Sequence, residues 1–134
     1  IHIDDIVFLL THSLELRRRT SGGDMSNGNL GEFEQMVLLA ILQLGEDVYG
    51  VPIVEEIERR TDRSVARAAV YVTLRRLEKK GLVESWMGAP SEERGGKARR
   101  LVRVRPEGQR LLQGSRRAME AMWQGLDPAH GDAP

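Results

Sequence analysis

Val65-Ala-Arg-Ala-Ala-Val-Tyr-Val-Thr-Leu-Arg-Arg-Leu-Glu-Lys-Lys80 has the three- and four-residue apolar spacing of an amphipathic helix, and Gly81 stops it. Projected at about 100° per residue, Ala66, Val70, Leu74 and Leu77 fall on one face, the candidate core side. The opposite face carries Ala68, Val72, Arg75 and Lys79, with Tyr71 and Arg76 beside them. Small, apolar and basic residues facing outward are unusual for a helix that meets only water. Such a face needs a partner with both apolar and anionic features.

A second basic surface follows closely. Arg94-Gly-Gly-Lys-Ala-Arg-Arg100 sits between Leu82-Val-Glu-Ser-Trp-Met87 and the run from Ala98 to Val104, both of which read as strands, with Gly88 to Gly96 as the loop. Gly95 and Gly96 let the tip bend and bring backbone close to a phosphate, while Arg94, Lys97, Arg99 and Arg100 supply charge. Read alone, such a run serves equally as a charged edge that discourages strand pairing. The helix ahead of it tips the balance toward phosphate contact. Between Arg59 and Arg105 there are fourteen Lys/Arg and five Asp/Glu, although the whole chain of 134 residues carries a formal charge of zero. The excess is local, as the electrostatic footprint of a nucleic-acid partner is.

Outward from this stretch, the pattern is helix, helix, helix, hairpin, helix. Phe33, Met36, Val37, Ala40, Ile41 and Leu44 form one apolar stripe, ended by Gly45. Pro52 suits the first turn of a second helix that buries Ile53, Val54 and Ile57. On that helix Glu55 with Arg59, and Glu56 with Arg60, are spaced as ion pairs and read as solvated surface. Thr61-Asp-Arg-Ser64 makes a turn, with Ser64 placed to cap the third helix. Pro106 and Glu107 open the last helix, whose apolar positions Leu111, Leu112, Ala118, Met119, Met122, Trp123 and Leu126 form a stripe broad enough to meet more than one surface.

The expected organisation is an extension and linker over 1–29, a DNA-binding domain over 30–105, a helix over 106–126 and a tail over 127–134. Two readings of residues 1–24 stay open: upstream sequence ahead of Met25, or an amphipathic helix on Ile3, Ile6, Val7, Leu10 and Leu14. The expected fold is mainly α with a small β-hairpin wing, a winged helix-turn-helix followed by a C-terminal helix. In that architecture the second helix of the motif enters the major groove near its N-terminal end. Ser64, Arg67, Ala68, Tyr71, Val72 and Arg75 are the candidate groove-facing set. Arg67 or Arg75 paired with a guanine is worth about 1–3 kcal/mol of discrimination. Tyr71 also reads as an aromatic at the edge of the core, and Arg76, Lys79 and Lys80 as plain solvated charge.

Other classes find less support. Cysteine is absent, which removes disulfides, thiolate catalysis and Cys-containing zinc sites and fits a reducing compartment. No apolar stretch approaches the roughly 20 residues of a membrane span, and the short run Ile6 to Leu10 has acidic residues before it and basic ones after, opposite to a secretory signal. A cytoplasmic location is expected. His2, His12 and His130 fall in the expected tails, and no glycine loop precedes a helix in a phosphate-cradling pattern. Neither enzyme activity, a cofactor nor a metal is expected. A small enzyme using surface carboxylates lacks an acid pair with an evident cause for a shifted pKa. The competing class is a winged helix used as a protein-interaction module. Salt separates the two, because binding that neutralises several phosphates weakens steeply with ionic strength.

From Leu30 to Leu112 the chain resembles the PadR family of bacterial transcriptional regulators. The matching stretches are Leu38-Leu-Ala-Ile-Leu42, Tyr49-Gly50, Ala69-Val-Tyr-Val-Thr-Leu-Arg-Arg-Leu-Glu78, Gly81-Leu-Val83, Arg94 to Arg100 and Pro106-Glu-Gly108. The family usually carries aromatics where this chain has Leu101-Val102. The resemblance implies a homodimer on an inverted-repeat operator in double-stranded DNA, acting as a repressor that dissociates when a small-molecule effector or a stress signal arrives. It further implies dimerisation through the last helix, here Leu111, Leu112, Ala118, Met119, Met122, Trp123 and Leu126, packed on the partner's first helix. Having only one such helix places the chain in the short-tailed subgroup. In some relatives an aromatic-lined pocket at that interface takes planar drugs, so Trp123 reads either as a pocket wall or, more simply, as a core or interface residue.

Overall fold

The computed structural model describes residues 29–90 and 98–126. Both readings of residues 1–24, the tip residues Arg94 to Lys97 and the tail lie outside them. Helix α1 spans Glu32–Leu44, α2 Gly50–Thr61 and α3 Arg67–Lys79; strands β1 (Val83–Met87) and β2 (Arg100–Val104) form an antiparallel hairpin, and α4 spans Pro106–Trp123. The fold is therefore mostly helical with one two-stranded hairpin. Val48, in the link between α1 and α2, bridges to Val102, whose N–H donates to the Val48 carbonyl at 2.8 Å. That bridge anchors the hairpin to the helical layer.

The core forms where the apolar stripes converge. Val37, Leu38 and Ile41 of α1 meet Ile53 and Ile57 of α2, Val70 and Leu77 of α3, Val83, Val102 and Val104 of the hairpin, and Leu112 of α4. Val102 thus occupies its place under the wing as an aliphatic residue. At the end of α3, Gly81 takes a positive φ of 77°, its N–H reaches the Glu78 carbonyl and the Leu82 N–H reaches the Leu77 carbonyl. This is the double-bonded glycine stop that the position of Gly81 predicts, and both leucines that flank it, Leu77 and Leu82, are buried.

Three local expectations are corrected. Helix α3 begins at Arg67 with Ala66 as its N-cap, so Ser64 does not cap it. The turn is fixed differently: Asp62 ends α2 in the left-handed region, and the Glu58 carboxylate accepts the Val65 N–H at 2.8 Å. Lying ahead of the helix, Ala66 is exposed, and Thr73 takes the place in the core that the projection assigned to it. Glu56 is buried rather than solvated, because Arg59 at 2.8 Å and Arg60 both close over its carboxylate.

Ion pairs tie the ends of the helices together. Glu34 accepts the Gly31 N–H at 2.9 Å and also Lys80 Nζ at 2.9 Å, joining the start of α1 to the end of α3. Arg63 pairs with Glu32 at 2.8 Å. The hydrogen bond from Arg63 holds the Glu32 carboxyl below the usual carboxylate range, and those from Arg59 and then Arg60 do so for Glu56 against the opposing effect of burial. Glu107 is lowered chiefly by its own backbone N–H. Groups lowered in the folded state contribute stability above their unfolded value and lose it as pH falls through the folded one. Calorimetry is expected to show a flat melting temperature from neutral pH down to the ordinary glutamate value near 4.5 and a fall below it, shallower in Glu56→Gln.

Two glycines of α4 carry opposite expectations. A Cβ on Gly108 would lie 2.6 Å from the Leu82 carbonyl oxygen and 2.9 Å from Val104 Cγ1, whereas one on Gly114 would meet nothing within 4 Å. Alanine gains about 1 kcal/mol over glycine in a helix interior. At Gly108 that gain is overrun by forcing α4 off the hairpin, which costs about 1–3 kcal/mol. Gly108→Ala should therefore unfold at lower denaturant concentration than the wild type, and Gly114→Ala at higher.

Candidate nucleic-acid interface

The α2–turn–α3 unit presents the first turn of α3 outward. Ser64, Arg67 and Ala68 are all exposed, and Val72 one turn later is half-buried. Its N-cap residue, Ala66, makes no side-chain cap bond to the first N–H groups of α3, and the Glu58 carboxylate stops one residue short, at the Val65 N–H. A helix start left open in this way offers both side chains and N–H groups to an anionic surface.

Two of the expected groove-facing residues are partly covered by the body of the domain. Tyr71 is half-buried and lays its ring against Gly50, where a Cβ would come within 2.2 Å of Tyr71 Cε1. Its edge-of-core reading is the one the packing follows. Arg75 has a side chain only 14% exposed and sits 3.7 Å from the Glu78 carboxylate. It belongs to the flank of α3 that the hairpin covers, which a projection of one isolated helix does not reveal. Tyr71, Leu74 and Arg75 face Val83, Ser85, Arg100 and Val102 across a small cleft of about 50 Å³.

The base of the wing is also engaged with the body. The Arg99 guanidinium lies 4.0 Å over the Tyr49 ring, at the start of α2. Stacking of this kind leaves the cation's outer N–H groups available while fixing its position. Arg100 Nη1 donates to Ser85 Oγ at 3.2 Å, and Ser85 Oγ donates to Glu78 Oε2 at 2.8 Å. Arg94 and Lys97 lie outside the described residues. Among the others, Arg67 and Lys79 of α3 are exposed, and Arg76 of α3 with Arg99 and Arg100 at the wing base are half-buried, so none of them is inside the core.

The α4 residues divide into two groups. Leu112 is buried and Leu111 packs against the core, so both serve the chain's own fold. Beyond them the same stripe runs on uncovered: Ala118, Met119, Met122, Trp123 and Leu126 are exposed, Met122 to 74% and Trp123 to 54%. Leu39 and Leu42 of α1 are exposed as well. No group of three or more metal-ligating side chains occurs among the described residues, and no helix among them is long and apolar enough to cross a membrane.

Three helices, a bridged hairpin and an open α3 start define a winged helix-turn-helix protein. The model of the transcriptional regulator PadR-like family matches residues 38–114, and the chain belongs to that family. It is accordingly a DNA-binding transcriptional regulator and not an enzyme. An uncharacterised protein of Lysinibacillus sphaericus is 36% identical over 84 residues, 61% of this chain and 72% of that one. The fold is similar to that of a PadR family regulator from Clostridium difficile, with a TM-score of 0.59 at 20% identity over 70% of this chain and 93% of the other. A transcriptional regulator from Clostridium thermocellum gives 0.56 at 25% identity, covering 68% and 85%. A PadR-like regulator from Bacillus cereus gives 0.57 at 23%, covering 69% and 84%.

Proposed function

We propose that the protein is a homodimeric repressor that binds an inverted-repeat operator through the first turn of α3 and the wing, and leaves it in response to an effector or stress signal. The observation that carries the DNA contact is the solvent-facing start of α3, where Ser64, Arg67 and Ala68 lie exposed, and the wing base adds the cations Arg99 and Arg100. In this reading Arg67 meets base edges or phosphate, Ala68 and Val72 meet thymine methyls, and Arg94, Lys97 and Arg99 meet phosphates on either side. Arg75 and Tyr71 support the reading helix from behind.

Dimerisation is supported by the uncovered apolar half of α4, together with Leu39 and Leu42, which offer a complementary surface on a second copy. A two-fold dimer sets two reading helices about one turn of duplex apart, near 34 Å, and matches a palindromic site. Repression released by a signal is the mode of control that the family resemblance supplies, and a protein working on chromosomal DNA acts in the cytoplasm. Selection of bound genomic fragments, followed by titration in rising salt, tests the whole reading. The expected result is a palindromic consensus whose affinity falls steeply with salt. Recovery of no enriched sequence, with salt-insensitive binding to a protein instead, would establish the interaction-module class.

A further inference from the structure

The chain Glu78–Ser85–Arg100 joins the reading helix to the wing through one hydroxyl. Ser85 sits on β1, and its Oγ donates to the Glu78 carboxylate at 2.8 Å while accepting from Arg100 Nη1 at 3.2 Å. Arg75, one turn before Glu78 on α3, lies 3.7 Å from the same carboxylate. These are charge-assisted contacts in a half-buried cleft, where they hold geometry better than surface pairs do. On its other strand the hairpin is tied to the link between α1 and α2 by the Val48–Val102 bridge, in register with Ser85, and its base is closed by the Arg105 N–H donating to the Leu82 carbonyl at 2.8 Å. Ser85, at the middle of β1, is where a side chain ties the wing to α3.

We infer that Ser85 and Glu78 are positioning residues, which set the angle of the wing against α3 so that its tip cations reach phosphate while α3 lies in the groove. This rests on the proposed use of the wing in DNA binding. An acid beside a DNA-binding face ordinarily weakens affinity, so its removal should tighten binding if Glu78 were only a negative charge. The positioning role predicts the reverse sign. Ser85→Ala, which changes no charge, should also weaken binding.

The test is a double-mutant cycle by operator titration at several salt concentrations. Alone, Ser85→Ala and Glu78→Gln should each lower affinity about three- to tenfold, the range expected for losing one such hydrogen bond, with a shallower salt slope. In a chain already carrying Arg94→Ala and Lys97→Ala, Ser85→Ala should cost nothing further, because no tip cation remains to be aimed. A loss of equal size in both backgrounds would show ordinary destabilisation and overturn the positioning role. Tighter binding by Glu78→Gln would overturn it too, as would wild-type affinity in both single variants. If Arg94→Ala/Lys97→Ala itself binds like the wild type, the wing's use on DNA fails instead, and the two failures are thereby told apart.

Discussion

Replacing Met122 by Glu and Trp123 by Ser is expected to give a folded monomer that has lost about a hundredfold or more of its affinity for the full operator. The two side chains are 74% and 54% exposed, so the domain's own stability does not depend on them. The helix that carries them is secured upstream, where Leu112 is buried and Gly108 sits against Leu82. Within a dimer the situation reverses. A tryptophan buries about 150–250 Å², and placing a carboxylate at Met122 would strand a charge in an apolar contact. Once the dimer is lost, the second half-site is no longer engaged as an intramolecular step, and that step is worth roughly 10² to 10⁴ in avidity. Sedimentation and operator titration check both parts together. Affinity for an isolated half-site should be unchanged, which distinguishes loss of the partner from damage to α3. A variant that still sediments as a dimer would move the interface away from the distal half of α4.

Much of the architecture is legible in the chain because it follows from local chemistry. The glycine after Lys80 enforces a left-handed step, and α3 stops there. Pro106 stands at the start of α4, where its missing N–H costs nothing. The apolar spacing of α1 places Val37, Ala40 and Ile41 inside. What a single-element reading misses is the side from which another element arrives. Arg75 falls on the outward face of the isolated helix, and the hairpin folds over that side of it, so a residue read as groove-facing becomes part of a cleft. Glu56 looks like a surface partner of Arg60 until Arg59 closes from the other side. Arg60 also donates to Gln43 of α1 at 3.2 Å, a contact across 17 residues of sequence that no helical projection contains. Gly50 is similar: nothing near it in sequence announces that the Tyr71 ring occupies the space where its side chain would be. The stripe of α4 was visible as a whole, but its division into a buried half and an uncovered half depends on where the body of the domain ends.

Ala68→Glu should separate stability from binding by moving them in opposite directions. Ala68 is exposed in the first turn of α3, one position after Arg67. A carboxylate there meets the positive end of the helix, which stabilises by about 0.3–1 kcal/mol. Glutamate replaces the best helix former with one only slightly worse, so melting should be unchanged or slightly raised. On DNA the same carboxylate is pressed toward base edges between two rows of phosphates, where like-charge contact costs several kcal/mol. Affinity should fall about a hundredfold or more, for the operator and for unrelated duplex alike, because the repulsion is not sequence-specific. Ala68→Gln keeps the size without the charge and should alter sequence preference with a far smaller loss. Gln113→Glu makes an equal change of charge at an exposed position of α4 and serves as the control; its effect should be confined to the weak, screened field that a distant surface charge exerts. Should Ala68→Glu bind as tightly as that control, the start of α3 does not enter the groove, and the contact surface must be sought on another face of the domain.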